Sequence, residues 1–374
     1  MKKLMALILS TVLVVSSSVS AFAQYEKVTD THFDKTPTYA DVVVDNVSTN
    51  LVKKGSSRKL CMNIYKPEGI KEATPVVIYV HGGAWNSGDY TCKSLMEKDT
   101  GTNDPFFACM RCLDMGITVV TADYRLSTEE LFPAMVWDLK GQIRFLRANA
   151  KKYNIDPDRI IVWGQSAGGH LVNLLGTTDG VEELEGTVGG NLKYSSKPTA
   201  VVDYYGMTDI LQLAPDQYER PHIIDPMAMY NQADAPSSSR AQLLGFNGEG
   251  QGLDVLRANL GTPSNPYVNP DSPYQDALHR AYLSCPLNFI DKNDCPFVIL
   301  QGGLDNRVAP QQSYEFFEQL TKFGVEAYMF TTSASTHGNQ GEFAAQAALR
   351  FVSDQFGLGK WFIKYMNYMD RKNI

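Results

Sequence analysis

Long apolar runs are almost absent from this 374-residue chain. The one candidate, Leu4 to Val15, falls well short of the roughly 20 residues a bilayer-spanning helix needs, so no transmembrane helix is predicted. A basic surplus is missing too. Against 34 Lys and Arg stand 41 Asp and Glu, a net charge of −7 with no basic stripe, so nucleic-acid binding has no electrostatic support. No second Cys-x-x-Cys stands at zinc-finger spacing, and Cys109-x-x-Cys112 lies in an apolar helical run, where two buried thiols are expected in place of a metal site. The acidic run Glu182-Glu183-Leu184-Glu185-Gly186 lacks the ligand spacing of an EF-hand loop and reads as a solvated loop. No internal repeat is visible. Neither a cofactor nor a metal is expected.

Lys2 and Lys3, the apolar run and the Ser-rich stretch ending at Ala21-Phe22-Ala23 form the three regions of a secretory signal peptide. Residues 1–23 are therefore expected to leave on export, with cleavage after Ala23, which brings the net charge to −9. No cysteine closely follows the apolar run, so no lipid anchor is expected there. The predicted protein is secreted, extracellular or periplasmic, with no membrane association afterwards. An even count of six cysteines permits disulfides in that setting. Cys285 and Cys295 bracket a short polar loop and form the most plausible local pair. A chain of this size does not need them as staples.

Residues 24–374 read as one domain. Asp41 to Ser48 and Lys59 to Tyr65 are expected strands. Pro75 to Val80, Ile117 to Ala122, Ile160 to Trp163, Ala200 to Tyr205 and Pro296 to Gln301 are continuous apolar runs, the mark of strands buried on both faces. Helical patterns alternate with them. In one, Val136, Leu139, Ile143 and Leu146 share a face, while Lys140, Arg144, Arg147 and Lys151 are expected in solvent. The alternation predicts an α/β fold with a mostly parallel sheet and helices on both faces. From Met207 to about Asp294 the pattern breaks into Pro, Tyr, Asn, Asp and Gly. That stretch reads as an insertion at the rim of the sheet, with too few apolar runs for a core of its own.

The chain is organised around Ile160-Ile161-Val162-Trp163-Gly164-Gln165-Ser166-Ala167-Gly168-Gly169-His170. Gly164-Gln165-Ser166-Ala167-Gly168 fits G-x-S-x-G, a serine on a sharp turn between a strand and a helix. Small neighbours let the two elements pass closely, and the helix start aims free N–H groups at the reacting centre. A serine hydroxyl needs a base, and the base needs an orienting group. In a parallel sheet the loops at the carboxyl ends of strands meet on one rim, and three such loops carry Ser166, Asp305 and His337, in the chain order Ser, Asp, His. His337 follows the last strand and is the candidate base. His81 is expected to brace the glycine turn beside it and His170 to serve in packing. His32 lies in the N-terminal arm, and His222 and His279 are candidate substrate contacts in the insertion. Asp305 ends a buried strand and is the first choice of acid, with Asp203 and Asp209 as rivals. Backbone N–H groups of Gly82, Gly83 and Ala167 are the candidate oxyanion donors. Trp85 and Gln165, their chain neighbours, are candidate substrate contacts.

His81-Gly82-Gly83-Ala84-Trp85, Asp123-Tyr124-Arg125-Leu126, the Trp163–His170 stretch and Gln301-Gly302-Gly303-Leu304-Asp305 together resemble the α/β-hydrolase carboxylesterases of the hormone-sensitive-lipase-like type. Among these the chain looks most like the bacterial bifunctional acetylxylan and feruloyl esterases, over roughly residues 40–356. The resemblance implies an eight-stranded sheet, metal-free ester hydrolysis, Ser166 as nucleophile, His337 as base, Asp305 as acid, and Gly82, Gly83 and Ala167 as oxyanion donors. Two positions depart from the family: Asn306 follows the aspartate where proline is frequent, and Thr336 precedes the histidine where glycine is usual. The expected activity is release of acetyl, then feruloyl, groups from plant cell-wall polysaccharide such as xylan. An amidase or formamidase, a peptidase on the same fold, and a non-catalytic binding protein are the alternatives.

Overall fold

A computed structural model describes residues 38–44, 56–96, 104–218 and 233–359. The expected signal peptide, His32 and His222 lie outside the described residues. Eight strands form one sheet: β1 (Thr38–Val44), β2 (Ser56–Tyr65), β3 (Thr74–Val80), β4 (Thr118–Ala122), β5 (Ile155–Gln165), β6 (Ala200–Tyr204), β7 (Phe297–Gly302) and β8 (Ala327–Thr332). Their spatial order is β1-β2-β4-β3-β5-β6-β7-β8. β2 runs antiparallel to β1 and β4, and every other neighbouring pair is parallel.

Alternation along the central strands divides the interior into two layers. Val76, Ile78 and Val80 pack with the helices Ala134–Ala148, Ala167–Thr177 and Pro310–Lys322. Val77 and Tyr79 pack on the other side with the helices Pro105–Met110 and Gly341–Gln355. Both faces are covered, which is why these strands are apolar along most of their length. The run Phe106 to Met115 is an α-turn followed by a 3-10 turn, Arg111–Met115, stopped by Gly116 in the left-handed conformation.

The described part of the 207–294 stretch holds the short helices Leu213–Tyr218, Ser239–Leu243, Leu253–Ala258 and Gln275–Leu283. Its buried Leu243, Phe246, Leu253 and Leu278 join the first of the two sheet layers. Among the described residues no helix is long and apolar enough to cross a membrane.

Three expectations need correction. Lys140 and Arg144 are buried, not solvated. Lys140 Nζ donates to Thr178 O at 2.6 Å and to Glu185 Oε2 at 3.0 Å, and Arg144 donates to Glu185 Oε1 and to Val188 O. Glu185, read from sequence as part of a solvated acidic loop, also accepts from Ser196 Oγ. The helix was predicted to have one covered face; the 182–196 loop covers a second and brings the counter-charge that lets both cations stay buried. The Cys285–Cys295 pair is not formed. Both thiols are free and buried, Cys285 directed at Thr208 O and Cys295 lying near Gly176 O, at different places along the chain's packing. Cys109 and Cys112 are buried free thiols.

Candidate active site

β5 ends at Gln165, and Ser166 turns the chain with φ 54° and ψ −120° before the helix Ala167–Thr177 begins. A non-glycine residue there costs roughly 1–3 kcal/mol and persists only when its surroundings hold it. Ser166 N–H donates to Tyr204 O, and Ser166 O accepts from His170 N–H, both at 2.9 Å. The flanking glycines are sterically required. A Cβ on Gly164 would stand 2.2 Å from Gly168 O, and one on Gly168 would stand 2.1 Å from Val80 O. Strand, turn and helix therefore approach to backbone contact, and Ser166 Oγ is lifted to the carboxyl-end rim.

β7 and β8 end on that same rim. His337 Nδ1 lies 2.8 Å from Asp305 Oδ2, and His337 Nε2 lies 2.9 Å from Ser166 Oγ. An ionised carboxylate only accepts, so Nδ1 carries the ring proton and Nε2 is left to accept from the serine hydroxyl. Asp305 is fully buried, but its oxygens are satisfied. Oδ1 accepts from the backbone N–H groups of Arg307 (2.8 Å) and Val308 (2.9 Å), and Oδ2 also accepts from Gln301 Nε2 at 3.3 Å. These bonds leave Oδ2 aimed at the imidazole.

The rival acids are committed elsewhere. Asp203 accepts from Gly206 N–H and Asn173 Nδ2, each at 2.8 Å, and burial raises it to about 6. Asp209 caps the turn at Leu211 and Gln212. Neither bonds to His337.

Gly82 lies directly against the elbow, where an added Cβ would sit 2.9 Å from Gln165 O and 3.4 Å from Ser166 Cβ. Gly83 has φ 111°, and its carbonyl accepts from the N–H groups of Asn86 and Ser87 at 3.1 Å. Among the described residues the N–H groups of Gly82, Gly83 and Ala167 donate to no other protein group. His81 braces this turn: its ring stacks on Tyr124 at 4.3 Å, and Tyr124 Oη donates to His81 O at 2.9 Å. Trp85 does not offer its indole to solvent. It is buried, and its Nε1 donates to His170 Nδ1 at 3.1 Å, so it fastens the glycine loop to the elbow helix. Gln165 is half-buried beside Ser166, with Oε1 accepting from Tyr205 Oη at 3.4 Å. His279 is remote in role, pairing on the surface with Glu183 Oε1 at 3.2 Å.

Sequence reasoning missed Tyr205 and Gln340. The Tyr205 ring lies 4.5 Å from the His337 ring, and Gln340 Nε2 donates to Thr336 O at 2.8 Å and to Gly338 O. Tyr205 stands just past β6 on the rim, a positional signal; nothing in the sequence marks Gln340.

A buried carboxylate, an imidazole and a serine in one hydrogen-bonded line, beside unspent backbone N–H groups, can carry out acyl transfer. The BD-FAE family model matches residues 62–251, just over half the chain. The chain belongs to the BD-FAE family. The Prolyl oligopeptidase family model matches residues 265–359 of this BD-FAE chain, the stretch holding Asp305 and His337. Carboxylesterase NlhH of Mycobacterium tuberculosis is 34% identical over 110 residues, 29% of this chain and 31% of the relative. An arylesterase of Saccharolobus solfataricus is 35% identical over 115 residues, 30% of this chain and 33% of the relative. The matched stretch thus spans about a third of the length of each. Among solved structures, a truncated carbohydrate esterase from gut microbiota matches with a TM-score of 0.61 and 24% identity, over 86% of this chain and 96% of the other. A bifunctional GH43-CE protein of Bacteroides eggerthii matches with a TM-score of 0.61 and 28% identity, over 79% of this chain and 33% of the other. The BD-FAE chain therefore has the α/β-hydrolase fold.

Proposed function

We propose that this protein is a secreted serine carboxylesterase that removes short acyl groups, acetyl first and feruloyl second, from plant cell-wall polysaccharide such as xylan. The observation that carries the esterase reading is the line Ser166 Oγ, His337 Nε2, His337 Nδ1, Asp305 Oδ2, with bonds of 2.9 and 2.8 Å. His337 Nε2 takes the hydroxyl proton as Ser166 Oγ attacks the ester carbonyl. The carbonyl oxygen gains negative charge beside the N–H groups of Gly82, Gly83 and Ala167. Asp305 holds the imidazole in the productive tautomer and stabilises the imidazolium. His337 then protonates the departing alcohol, leaving an acyl-enzyme on Ser166. Water, deprotonated by His337, attacks that acyl group and regenerates the serine.

Support for a polysaccharide ester comes from the bifunctional GH43-CE neighbour and from the motif set of the acetylxylan and feruloyl esterases. Export, read from the first 23 residues, suits a polymer that cannot enter the cell. The match of residues 265–359 to the Prolyl oligopeptidase family favours a peptidase as the second reading. That stretch supplies only the acid and the base, which ester and peptide hydrolysis share on this fold.

Hydrolysis of p-nitrophenyl acetate, butyrate and octanoate, acetylated xylan, methyl ferulate and a peptide p-nitroanilide tests both readings, with wild type and Ser166→Ala side by side. Acetyl-ester hydrolysis lost in the variant is the expected result. Turnover of the anilide alone would replace the esterase with a peptidase.

A further inference from the structure

Beyond the catalytic line, the 245–280 part of the insertion lines an open cleft of about 440 Å³ that shares no lining residue with Ser166, Asp305 or His337. That volume lies within the range of about 300–1,000 Å³ typical of small-molecule sites. Phe246 and Tyr274 form its aromatic side, ring centroids 4.8 Å apart and edge to face. Gln251, Asp276 and Arg280 supply its polar groups. Gln251 Oε1 is held by Gly248 N–H at 2.6 Å, and Arg280 Nε is held by Leu244 O at 2.7 Å. Both side chains are therefore anchored at one atom with others left over. Among the described residues, Gln251 Nε2, Tyr274 Oη, the Asp276 carboxylate and the two η nitrogens of Arg280 hydrogen-bond to no protein group.

The chemistry of this set selects a ligand class. An apolar ligand would leave four polar groups unsatisfied. An anion would suit Arg280 but meet Asp276, which stands one helical turn away on the same helix. A neutral polyhydroxylated ring offers hydroxyls that both donate and accept, and an apolar face for the aromatic side chain. We propose that this cleft binds a neutral pyranose unit of a glycan.

Its place in the chain joins it to the candidate active site. Asn86 Nδ2, on the glycine loop, donates to Gln242 Oε1 at 3.4 Å, and Phe132 N–H donates to Leu243 O at 3.1 Å. Gly245, on the cleft wall, follows Gln242 by three residues, about 11 Å of chain at most. The proposal deepens the polysaccharide-esterase reading and rests on it: the cleft would hold a sugar of the chain whose ester reaches Ser166. Gly245, Phe246 and Gln251 lie at the end of the BD-FAE match and Ser272 to Arg280 at the start of the Prolyl oligopeptidase match, so the lining is drawn from both matched stretches.

The test uses the full chain and unesterified oligosaccharides, so that binding is read without catalysis. Xylohexaose, cellohexaose and trigalacturonic acid are titrated by calorimetry into wild type, Asp276→Ala and Arg280→Gln. Hydrolysis of p-nitrophenyl acetate is measured in parallel. Asp276 is exposed, so its truncation leaves the packing intact, and circular dichroism checks the Arg280 variant. A neutral hexaose is expected to bind wild type and to lose roughly tenfold in affinity in each variant, as removal of a hydrogen bond to a charged group does. Acetate-ester hydrolysis should not change. No binding of either neutral hexaose, equal binding in wild type and both variants, or binding of the galacturonate alone would each overturn the proposal. Absence of ester hydrolysis in wild type would count against the esterase reading instead, separately from the sugar titration.

Discussion

Trp85 Nε1 donates to His170 Nδ1 at 3.1 Å, and the other ring nitrogen of His170 donates to Ser284 O at 2.7 Å. One buried imidazole thus ties the glycine loop, the elbow helix and the end of the insertion together. The arrangement requires a neutral ring, because a protonated Nδ1 would face the indole N–H donor to donor. Burial accordingly lowers His170 to about 4.

That shift has a definite sign in stability. Above about pH 6.5, His170 is neutral in both folded and unfolded chains. As the pH falls from there to about 4, only the unfolded chain takes the proton, so stability is lost over that window, by about 3 kcal/mol in all. Asp203, raised by burial to about 6, acts oppositely between its ordinary value near 3.8 and 6, so wild type alone would blur the effect. Urea unfolding of wild type and His170→Asn at pH 7 and pH 4 isolates it. The variant should be the less stable at pH 7, with a gap that narrows by about 3 kcal/mol at pH 4. A gap that stays constant would refute the linkage.

Asp305 and Asp203 are both fully buried at the carboxyl-end rim, yet only Asp305 bonds to His337. Asp305→Asn should lower kcat on p-nitrophenyl acetate by roughly 10³–10⁴, because the amide favours the wrong imidazole tautomer. Asp203→Asn should leave kcat nearly unchanged. Asn173 Oδ1 is buried without a partner, so the Asn173 amide can turn over and accept from the new side chain. The reverse ranking of the two variants would reassign the acid.

Gly83→Ala tests the oxyanion loop sterically. Its φ of 111° disfavours any side chain, and the added Cβ would stand 2.2 Å from Ser87 O. Displacing one donor should cost roughly 10²–10³ in kcat with a smaller change in KM. Steady-state kinetics alongside a thermal melt separates this from unfolding, since a purely structural defect would lower the melting temperature and leave the kcat of the folded protein intact.

Glu185→Ala strips the counter-charge from Lys140 and Arg144, both almost fully buried. Uncompensated buried charges cost about 3–5 kcal/mol, so the urea midpoint should fall accordingly. Activity per folded molecule should stay the same, because these side chains lie along the Ala134–Ala148 helix and the 182–196 loop. A midpoint within error of wild type would show the network to be ornamental to stability.

None of the six cysteines is joined in a disulfide. Unfolding without reductant should therefore expose six thiols to Ellman's reagent, while the folded protein reacts slowly, Cys61 first, as the least buried of them. A count of four would restore one disulfide.

The sequence by itself determined whatever depends on neighbours along the chain. Continuous apolar runs dictated the buried strands, glycines at 164 and 168 dictated the elbow, and the order Ser166, Asp305, His337 at the ends of β5, β7 and β8 followed from a parallel sheet whose loops share one rim. Backbone sterics and strand periodicity are local, so they can be read from residue order. Tertiary structure decided what each side chain meets across the chain. It placed Glu185 over Lys140 and Arg144, turned Trp85 inward onto His170, kept Cys285 apart from Cys295, and set Tyr205 against the His337 ring. Those outcomes depend on segments that are distant in sequence arriving at the same place, and a residue's identity records its chemistry but not its partner.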